Sequence, residues 1–177
     1  MKNDQTGLFF FVNTQTRLLF SLNSLYLQQI HHMTDPSRIS TAKAPKPVGL
    51  YPHARKVGNL LFLSGVGPRV AGSDATDSMV PGLSLDKNGN FTAFDFEAQC
   101  RSVFENVRLI LEASGSSWDE LVDVTVFLTD MKRDFQTYNR LYAAYFASNQ
   151  PCRTTVEINS LPTPICIELK CIATIKK

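Results

Sequence analysis

The sequence lacks the motifs that identify several common classes of enzyme and binding protein. It contains no GxGxxG and no Walker-type loop, so a cradle for nucleotide phosphates is not expected. It contains no HExxH and no CxxC, which removes the spacings typical of a zinc site or a thioredoxin-like redox site. A GxSxG elbow is also missing, and with it the usual signature of a Ser-His-Asp hydrolase. These absences leave acid–base and electrostatic catalysis by a few polar side chains.

An excess of charge of one sign and long apolar runs are missing as well. The chain has 18 Lys and Arg against 16 Asp and Glu, a formal net charge of +2, and its basic residues are scattered. A dedicated nucleic-acid binder needs a basic stripe to neutralise phosphates, so nucleic acid is not an expected partner. No apolar run approaches the roughly 20 residues that span a bilayer, so no membrane partner is expected. Four cysteines without a CxxC pair favour reduced thiols in a cytosolic or organellar compartment.

What is present is the composition of a globular protein, with 44% hydrophobic and 19% charged residues. A chain of 177 residues has room for one domain of ordinary size and a tail. We expect residues 1–44 to be a poorly ordered N-terminal extension, because polar residues interrupt their apolar segments throughout. An in-frame start upstream of Met33 is one explanation, and a weak targeting segment over residues 1–32 is the other. Regular patterning over residues 45–177 predicts the folded domain.

The pattern of the domain predicts an α+β fold with the element order β, β, α, β, α, β, β. Asp95 is the expected N-cap of the first helix and Gly115 its stop. The predicted strands are 48–57, 59–64, 121–128, 153–159 and 165–175, and the helices run from 95 to about 113 and from about 135 to 146. Residues 71–85 are expected to form a loop, followed by an Asn-Gly turn within 86–90. We therefore expect one mixed sheet with two helices packed on one face.

The last two strands carry the polar groups of greatest interest. Alternation places Ile167, Leu169 and Cys171 on one face of the final strand, and Glu168, with Cys166, on the other. A carboxylate inside an apolar strand is costly unless it is paired or used. Arg153, at the start of the preceding strand, offers a rigid fork that matches a carboxylate. The residues alone leave a structural ion pair, a solvent-facing pair and a functional site open, and the pattern favours the first two.

Several ordered motifs resemble one known family. These are Leu63-Ser64-Gly65, Val126-Phe127-Leu128-Thr129-Asp130, Pro151-Cys152-Arg153-Thr154-Thr155-Val156-Glu157 and Ile167-Glu168-Leu169. Over residues 47 to 176 the chain resembles the Rid family, the reactive-intermediate deaminases also called the YjgF/YER057c/UK114 family. Three further features look most like 2-aminomuconate deaminases of the bacterial type: Tyr51-Pro52-His53-Ala54-Arg55, Ser64-Gly65-Val66-Gly67-Pro68-Arg69 with its insertion to Asn90, and Leu161-Pro162-Thr163-Pro164.

The resemblance implies a homotrimer of chorismate-mutase-like subunits, whose sheets form a central β-barrel with three clefts at the interfaces. It implies a cofactor-independent and metal-free hydrolysis of an enamine or imine beside a carboxylate, with 2-aminomuconate converted to 4-oxalocrotonate and ammonia. One alternative is a broad 2-iminobutanoate and 2-iminopropanoate deaminase. Another is a non-catalytic trimer that binds small carboxylates or acts as a chaperone. Ribonuclease activity is ascribed to relatives, but the near-neutral charge gives it little support.

The resemblance also implies roles for individual residues. Arg153 matches the carboxylate-binding arginine, and Glu168 matches the glutamate that positions or activates water. Thr155 stands where many imine deaminases have cysteine, so that cysteine is not needed here or the substrate differs. Matches to residues that line the cleft are Tyr51, Ser64, Gly65 and Asn139.

Two further cationic or polar residues lie near the matched segments. His53 and Arg69 are candidates for binding the second carboxylate of a dicarboxylate, and surface charge is the alternative explanation for both. The expected location is cytoplasmic, or mitochondrial if residues 1–32 are a targeting segment.

Overall fold

The computed structural model describes residues 35–71, 80–88 and 90–175. All of the elements lie in the compact unit Ser37–Lys177. The strands are β1 (Arg38–Ile39), β2 (Ala54–Val57), β3 (Leu60–Leu63), β4 (Leu83–Leu85), β5 (Phe91–Phe94), β6 (Leu121–Leu128), β7 (Cys152–Glu157) and β8 (Ile167–Thr174), and the helices are α1 (Phe96–Ala113) and α2 (Met131–Tyr145). Of the extension expected over residues 1–44, residues 1–34 lie outside the described part of the chain. Residues 35–44 instead contribute to the fold, since β1 pairs with β2 and Ala44 is buried in the core. Within that part, no helix has the length and apolar character needed to cross a membrane.

Six of the strands form one mixed sheet in the order β1-β2-β3-β8-β6-β7. All neighbours in it are antiparallel except β6 and β7, which are parallel and joined through α2. A parallel pair requires such a crossover, whereas antiparallel neighbours need only a turn. Both helices pack on this sheet, which confirms the predicted α+β class and the predicted position of the helices.

The buried side chains of the helices and of β8 form the core between helices and sheet. In α1 the buried apolar residues recur at steps of three and four: Cys100, Val103, Phe104, Val107, Ile110 and Leu111. In β8 the buried and less buried residues alternate, so Ile167, Leu169 and Cys171 face the helices. The two sequence periods, near 3.6 in the helix and 2 in the strand, are those expected for elements that bury one face.

The sequence pattern predicts the start of α1 correctly and the start of α2 incorrectly. Asp95 caps α1 as predicted, and its Oδ1 accepts a hydrogen bond of 3.0 Å from the Ala98 N–H. The second helix begins at Met131, four residues before the predicted start, because Asp130 is its N-cap. Asp130 Oδ1 accepts a hydrogen bond of 2.9 Å from the Arg133 N–H. The first turn is mostly polar, so the apolar periodicity that predicts a helix begins only at Phe135.

The first predicted strand is also too long, since only Ala54–Val57 of residues 48–57 forms β2. Pro47 and Pro52 flank the irregular part, and neither has an N–H to give to a ladder. The sequence pattern missed the two-residue β1 and the β4–β5 hairpin, although the turn of that hairpin lies within the predicted 86–90 segment. Strands of two to four residues are too short to show alternation.

Cys166 does not share the face of Glu168 as the alternation predicted. It is fully buried, and its Sγ donates to Gln99 Oε1 at 3.0 Å. The reason is that β8 begins only at Ile167, so the strand period does not extend to Cys166.

Candidate functional site

Strand register decides which face of the sheet each candidate occupies. Val124 of β6, which is buried against the helices, pairs with Arg153 of β7 and with Cys171 of β8. Phe127 of β6 pairs with Glu168 of β8. Because paired residues point to the same side of a sheet, Arg153 lies on the side that carries the helices and Glu168 lies on the other side.

The two predicted catalytic residues are therefore not brought together within one chain. Arg153 and Glu168 lie on strands that flank β6, which places them roughly 10 Å apart across the sheet alone. In the described part of the chain the two form no ion pair, so the structural pair considered from the sequence is absent. Each residue instead belongs to a separate group of side chains.

The first group, the arginine cluster, consists of Arg153, Asn139, Phe135, Tyr138 and Tyr142. The exposed Arg153 donates from Nη1 to Asn139 Oδ1 at 2.8 Å. Its guanidinium carbon lies 4.6 Å from the ring centre of Tyr142, 5.7 Å from that of Tyr138 and 6.0 Å from that of Phe135. Aromatic faces attract such a cation. Within the described residues, the cluster thus holds a cation in place without neutralising it, and guanidinium N–H groups are left for an anion.

Contacts around the start of β7 fix the position of this cluster. The hydroxyl of Tyr142 donates to the Pro151 carbonyl at 3.3 Å, which ties α2 to the residues before Arg153. Gln150 has a φ of 42°, a left-handed conformation that turns the chain into Pro151 and the strand. Further along β7, Thr155 Oγ1 is buried and has no hydrogen-bond partner among the residues that the structure describes, and it lies on the same side of the sheet as Arg153.

The second group lines a cleft of about 140 Å³, called here the glutamate cleft. Its walls include Tyr51, Gly65, Gly67, Arg69, Ile165 and Glu168. Burial raises the pKa of the Glu168 carboxyl above its usual value of 4.5. A carboxylate with a raised pKa accepts a proton more readily than an exposed one, which suits it to act as a general base.

Gly65 is required by its distance from the glutamate. A Cβ placed on Gly65 would lie 2.3 Å from Glu168 Oε1 and 2.8 Å from its Cδ, well inside van der Waals contact. Glycine therefore permits the backbone of β3 and the loop that follows it to approach the carboxylate closely.

Tyr51 and Ser64 lie beside a smaller cavity of about 40 Å³ that adjoins the cleft. The Ser64 hydroxyl donates to the Pro52 carbonyl at 2.7 Å, and its N–H donates to the His53 carbonyl at 2.9 Å. Through these two hydrogen bonds, Ser64 fixes the position of the segment that carries Tyr51. Tyr51 is 42% exposed and lines both spaces, so the residue is accessible to a ligand.

His53 has a structural place instead of the carboxylate-binding place suggested from the sequence. The side chain is buried, its Nδ1 accepts from the Thr41 N–H at 3.2 Å, and its Nε2 lies 2.9 Å from the Pro45 carbonyl. Because Nδ1 accepts, Nε2 carries the proton and donates to that carbonyl. Both ring nitrogens are thereby used within the chain.

Arg69, the other candidate for a second carboxylate, is 9% exposed and lines both the glutamate cleft and the smaller cavity. Its Nη2 donates to the Lys46 carbonyl at 2.6 Å. Among the described residues, no group of three or more His, Cys, Asp or Glu side chains could hold a metal ion.

The sequence pattern did not indicate that three aromatic side chains of α2 contact Arg153. Phe135, Tyr138 and Tyr142 repeat at the spacing of a helix, which predicts core positions, and Tyr138 is fully buried while Phe135 and Tyr142 pack against the core. The signal that could have found them is Asn139, a polar matched residue on the same stretch of helix.

The chain is similar to known proteins over most of its described part. A family model described as Endoribonuclease L-PSP matches residues 41–175. A RutC family protein of Pyrococcus horikoshii is 40% identical over 136 residues, 76% of this chain and 94% of the relative. The chloroplastic Reactive Intermediate Deaminase A of Arabidopsis thaliana is 38% identical over 137 residues, 77% of this chain and 65% of the relative.

A solved structure extends the likeness to three dimensions. The crystal structure of E. coli TdcF with bound serine is 30% identical, has a TM-score of 0.62, and is matched over 78% of this chain and 98% of that chain. The chain belongs to the Endoribonuclease L-PSP family, which is the Rid (YjgF) family.

Proposed function

We propose that this protein is a cofactor-independent deaminase that hydrolyses an imine or enamine beside a carboxylate. The observation that carries the proposal is the pair of half-sites: a held but unneutralised guanidinium at Arg153, and a partly buried carboxylate at Glu168 in a cleft. The similarity to a protein named Reactive Intermediate Deaminase A supports the same chemistry. Serine bound to another relative is consistent with a family site that accepts a small amino acid carboxylate.

The separation of the half-sites supports a site assembled from two subunits. The open sheet face, on the side of Glu168, carries the apolar residues Val57, Phe62, Phe127, Val156 and Ile172. Val57 is 61% exposed and Phe62 is 36% exposed. An apolar sheet face of this kind is stable when another layer covers it. A homotrimer with a central β-barrel covers it and brings Arg153 of one subunit towards the glutamate cleft of the next.

In the proposed reaction Arg153 binds the carboxylate next to the C=N carbon through charge-assisted hydrogen bonds. An enamine substrate first takes up a proton on carbon, which gives the electrophilic iminium, the protonated form of the imine. Glu168 orients a water molecule and accepts its proton as the oxygen attacks the imine carbon. The tetrahedral carbinolamine then loses ammonia and leaves a 2-oxo acid. The Gly65 N–H and the Tyr51 hydroxyl stabilise that intermediate, a role supported by the position of both residues in the wall of the glutamate cleft.

The finer proposal for the substrate is 2-aminomuconate, which gives 4-oxalocrotonate and ammonia. It rests on the resemblance of the segments around Tyr51, Ser64–Arg69 and Leu161 to 2-aminomuconate deaminases. A broad deaminase of 2-iminobutanoate and 2-iminopropanoate is the second candidate, and the similarity to Reactive Intermediate Deaminase A favours it. Endoribonuclease activity, named in the family description, has less physical support because the net charge is only +2.

An ammonia-release assay tests the proposal. Wild type, Arg153→Ala and Glu168→Gln are compared on 2-aminomuconate and 2-iminopropanoate, with Arg108→Ala as the control that removes an exposed cation of α1. We expect both site variants to lose at least about 100-fold in kcat/KM while the control keeps its activity. Wild-type activity in an Arg153→Ala variant that keeps its oligomeric state would contradict the proposal. If Glu168→Gln binds the carboxylate ligand as wild type does, Arg153→Ala does not bind it, and wild type shows no turnover, the protein is a non-catalytic module that binds small carboxylates.

The proposed oligomer and location have separate tests. Sedimentation of the purified protein should give the mass of three chains, and a monomer would contradict the composite site. We propose a cytoplasmic location, with a mitochondrial one if residues 1–32 act as a targeting segment. N-terminal sequencing of the natural protein decides whether that segment is retained.

A further inference from the structure

Arg69 is a buried cation without a carboxylate partner in the described part of the chain. The residue is 9% exposed, and its Nη2 donates a hydrogen bond of 2.6 Å to the Lys46 carbonyl. A guanidinium has five N–H donors, and one backbone carbonyl neither satisfies them nor neutralises the charge. Burying a charge costs free energy unless an opposite charge compensates it. Within the described residues, this cation beside the open cleft is thus not compensated by a carboxylate.

Glu168 does not supply the missing charge, although it lines the same cleft as Arg69. Among the described residues the two form no ion pair, and burial is the cause of the raised pKa of Glu168, with no lowering effect of a nearby cation. His53 cannot contribute to an anion site with Arg69, because both of its ring nitrogens are used. The cationic character of this end of the cleft therefore rests on Arg69.

The backbone that carries Arg69 is fixed by side chains of α1. The carbonyls of three successive residues accept hydrogen bonds: Asn106 Nδ2 donates to Gly67 at 2.9 Å and to Arg69 at 2.7 Å, and Ser102 Oγ donates to Pro68 at 2.7 Å. Asn106 is itself buried. Such support holds the guanidinium in place before a ligand arrives, as a preorganised binding site requires.

We propose that Arg69 forms a second anion site in the glutamate cleft and that the substrate is therefore a dicarboxylic imine or enamine. This inference rests on the proposed function: Arg153 binds the carboxylate beside the C=N carbon, and Arg69 binds the distal carboxylate. A distal carboxylate supplies the charge that Arg69 lacks, so a dicarboxylate gains an interaction that a monocarboxylate of the same length does not make. A small monocarboxylic imine leaves Arg69 without a negative partner, so the site binds it less well than a dicarboxylic imine.

Two unreactive probes isolate this contribution. Muconate (hexa-2,4-dienedioate) and sorbate (hexa-2,4-dienoate) have the same carbon chain and differ by one carboxylate. Calorimetric titration of the oligomeric protein with each gives a ratio of dissociation constants. We expect wild type to bind muconate at least about tenfold more tightly than sorbate, since a charge-assisted hydrogen bond is worth at least that factor. Equal affinities, or no binding of either probe, would overturn the inference.

Variants assign the preference to Arg69. Arg69→Gln keeps a donor for the Lys46 carbonyl but removes the charge, and we expect it to bring the ratio close to one. Arg69→Lys keeps the charge, and we expect it to retain part of the preference even where Arg69→Gln does not fold. Arg108→Gln removes an exposed charge and should leave the ratio unchanged. A ratio that stays at the wild-type value in Arg69→Gln would refute the role of Arg69.

The deaminase assay separates this inference from the proposed function. Suppose that wild type turns over dicarboxylic and monocarboxylic imines equally well and binds muconate and sorbate equally tightly. The proposed function is then supported, and the second anion site is overturned. Selective muconate binding without any turnover supports the anion site and contradicts the deaminase.

Discussion

Replacing Gly65 by alanine should inactivate the protein through the glutamate, without touching the arginine cluster. The added Cβ would lie 2.3 Å from Glu168 Oε1 and 3.4 Å from Oε2, whereas ordinary contact begins near 3.4 Å. The carboxylate must therefore move by about 1 Å, and a displacement of that size in a catalytic group costs roughly 100-fold in rate. We expect kcat to fall by about that factor.

The loss should be one of activity and not of folding. The clash involves the end of a flexible side chain, so the cost to the folded state is the strain of an altered rotamer, about 0.5–1.5 kcal/mol. Denaturant unfolding measures this term. Gly67→Ala is the matched control in the same cleft, since its Cβ would lie 2.9 Å from the terminal methyl of Ile165 and does not contact Glu168. We expect it to lose much less activity.

A double-mutant comparison shows whether the effect passes through Glu168. In a Glu168→Gln background the Gly65→Ala change should add little further loss, because the base that it displaces is already absent. The reasoning is refuted if Gly65→Ala retains wild-type kcat. It is equally refuted if the two substitutions reduce kcat by independent factors that multiply.

Three further expectations concern the glutamate, the arginine and the loop before β7. Because burial raises the pKa of Glu168, the folded state disfavours its charged form, and this destabilisation is absent well below pH 4.5 and complete above the raised pKa. Unfolding at matched protein concentration should therefore show Glu168→Gln gaining stability relative to wild type as pH rises through that range, and a pH-independent difference would contradict this. Asn139→Ala removes the 2.8 Å partner of Arg153 and should raise KM about tenfold with a smaller change in kcat, whereas an unchanged KM would show that the amide does not position the cation. Gln150→Gly relieves a left-handed φ of 42° and should raise the free energy of unfolding by about 0.5 kcal/mol after the entropy cost of glycine, and a decrease would mean that the Gln150 side chain stabilises the turn.

The regular parts of the fold could be predicted from local sequence, because burial imposes a period on them. The apolar residues of α1 and the alternation of Leu169 and Cys171 in β8 follow from one buried face each. Segments stabilised by single side chains were harder. The N-cap at Asp130 and the irregular run before Ala54 depend on individual hydrogen bonds and prolines that create no period.

The candidate site was predictable in its residue types but not in its arrangement. Motif resemblance selected Arg153 and Glu168, yet their positions on opposite faces depend on the register of both with β6, which pairs residues distant in sequence. The place of His53 could not be foreseen either, because its partners, the Thr41 N–H and the Pro45 carbonyl, are backbone groups of an irregular segment. A structure is thus needed to decide whether a polar side chain near a motif binds a ligand or stabilises the fold.

We propose that each site takes Arg153 from one subunit and Glu168 from another. Mixing inactive Arg153→Ala chains with inactive Glu168→Gln chains in equal amounts, under conditions where subunit exchange is verified by mass, tests this directly. Random assembly leaves about a quarter of the interfaces with both residues intact, so we expect about a quarter of wild-type activity to return. Mixed oligomers that stay inactive would show that the two residues act within a single chain or do not act together.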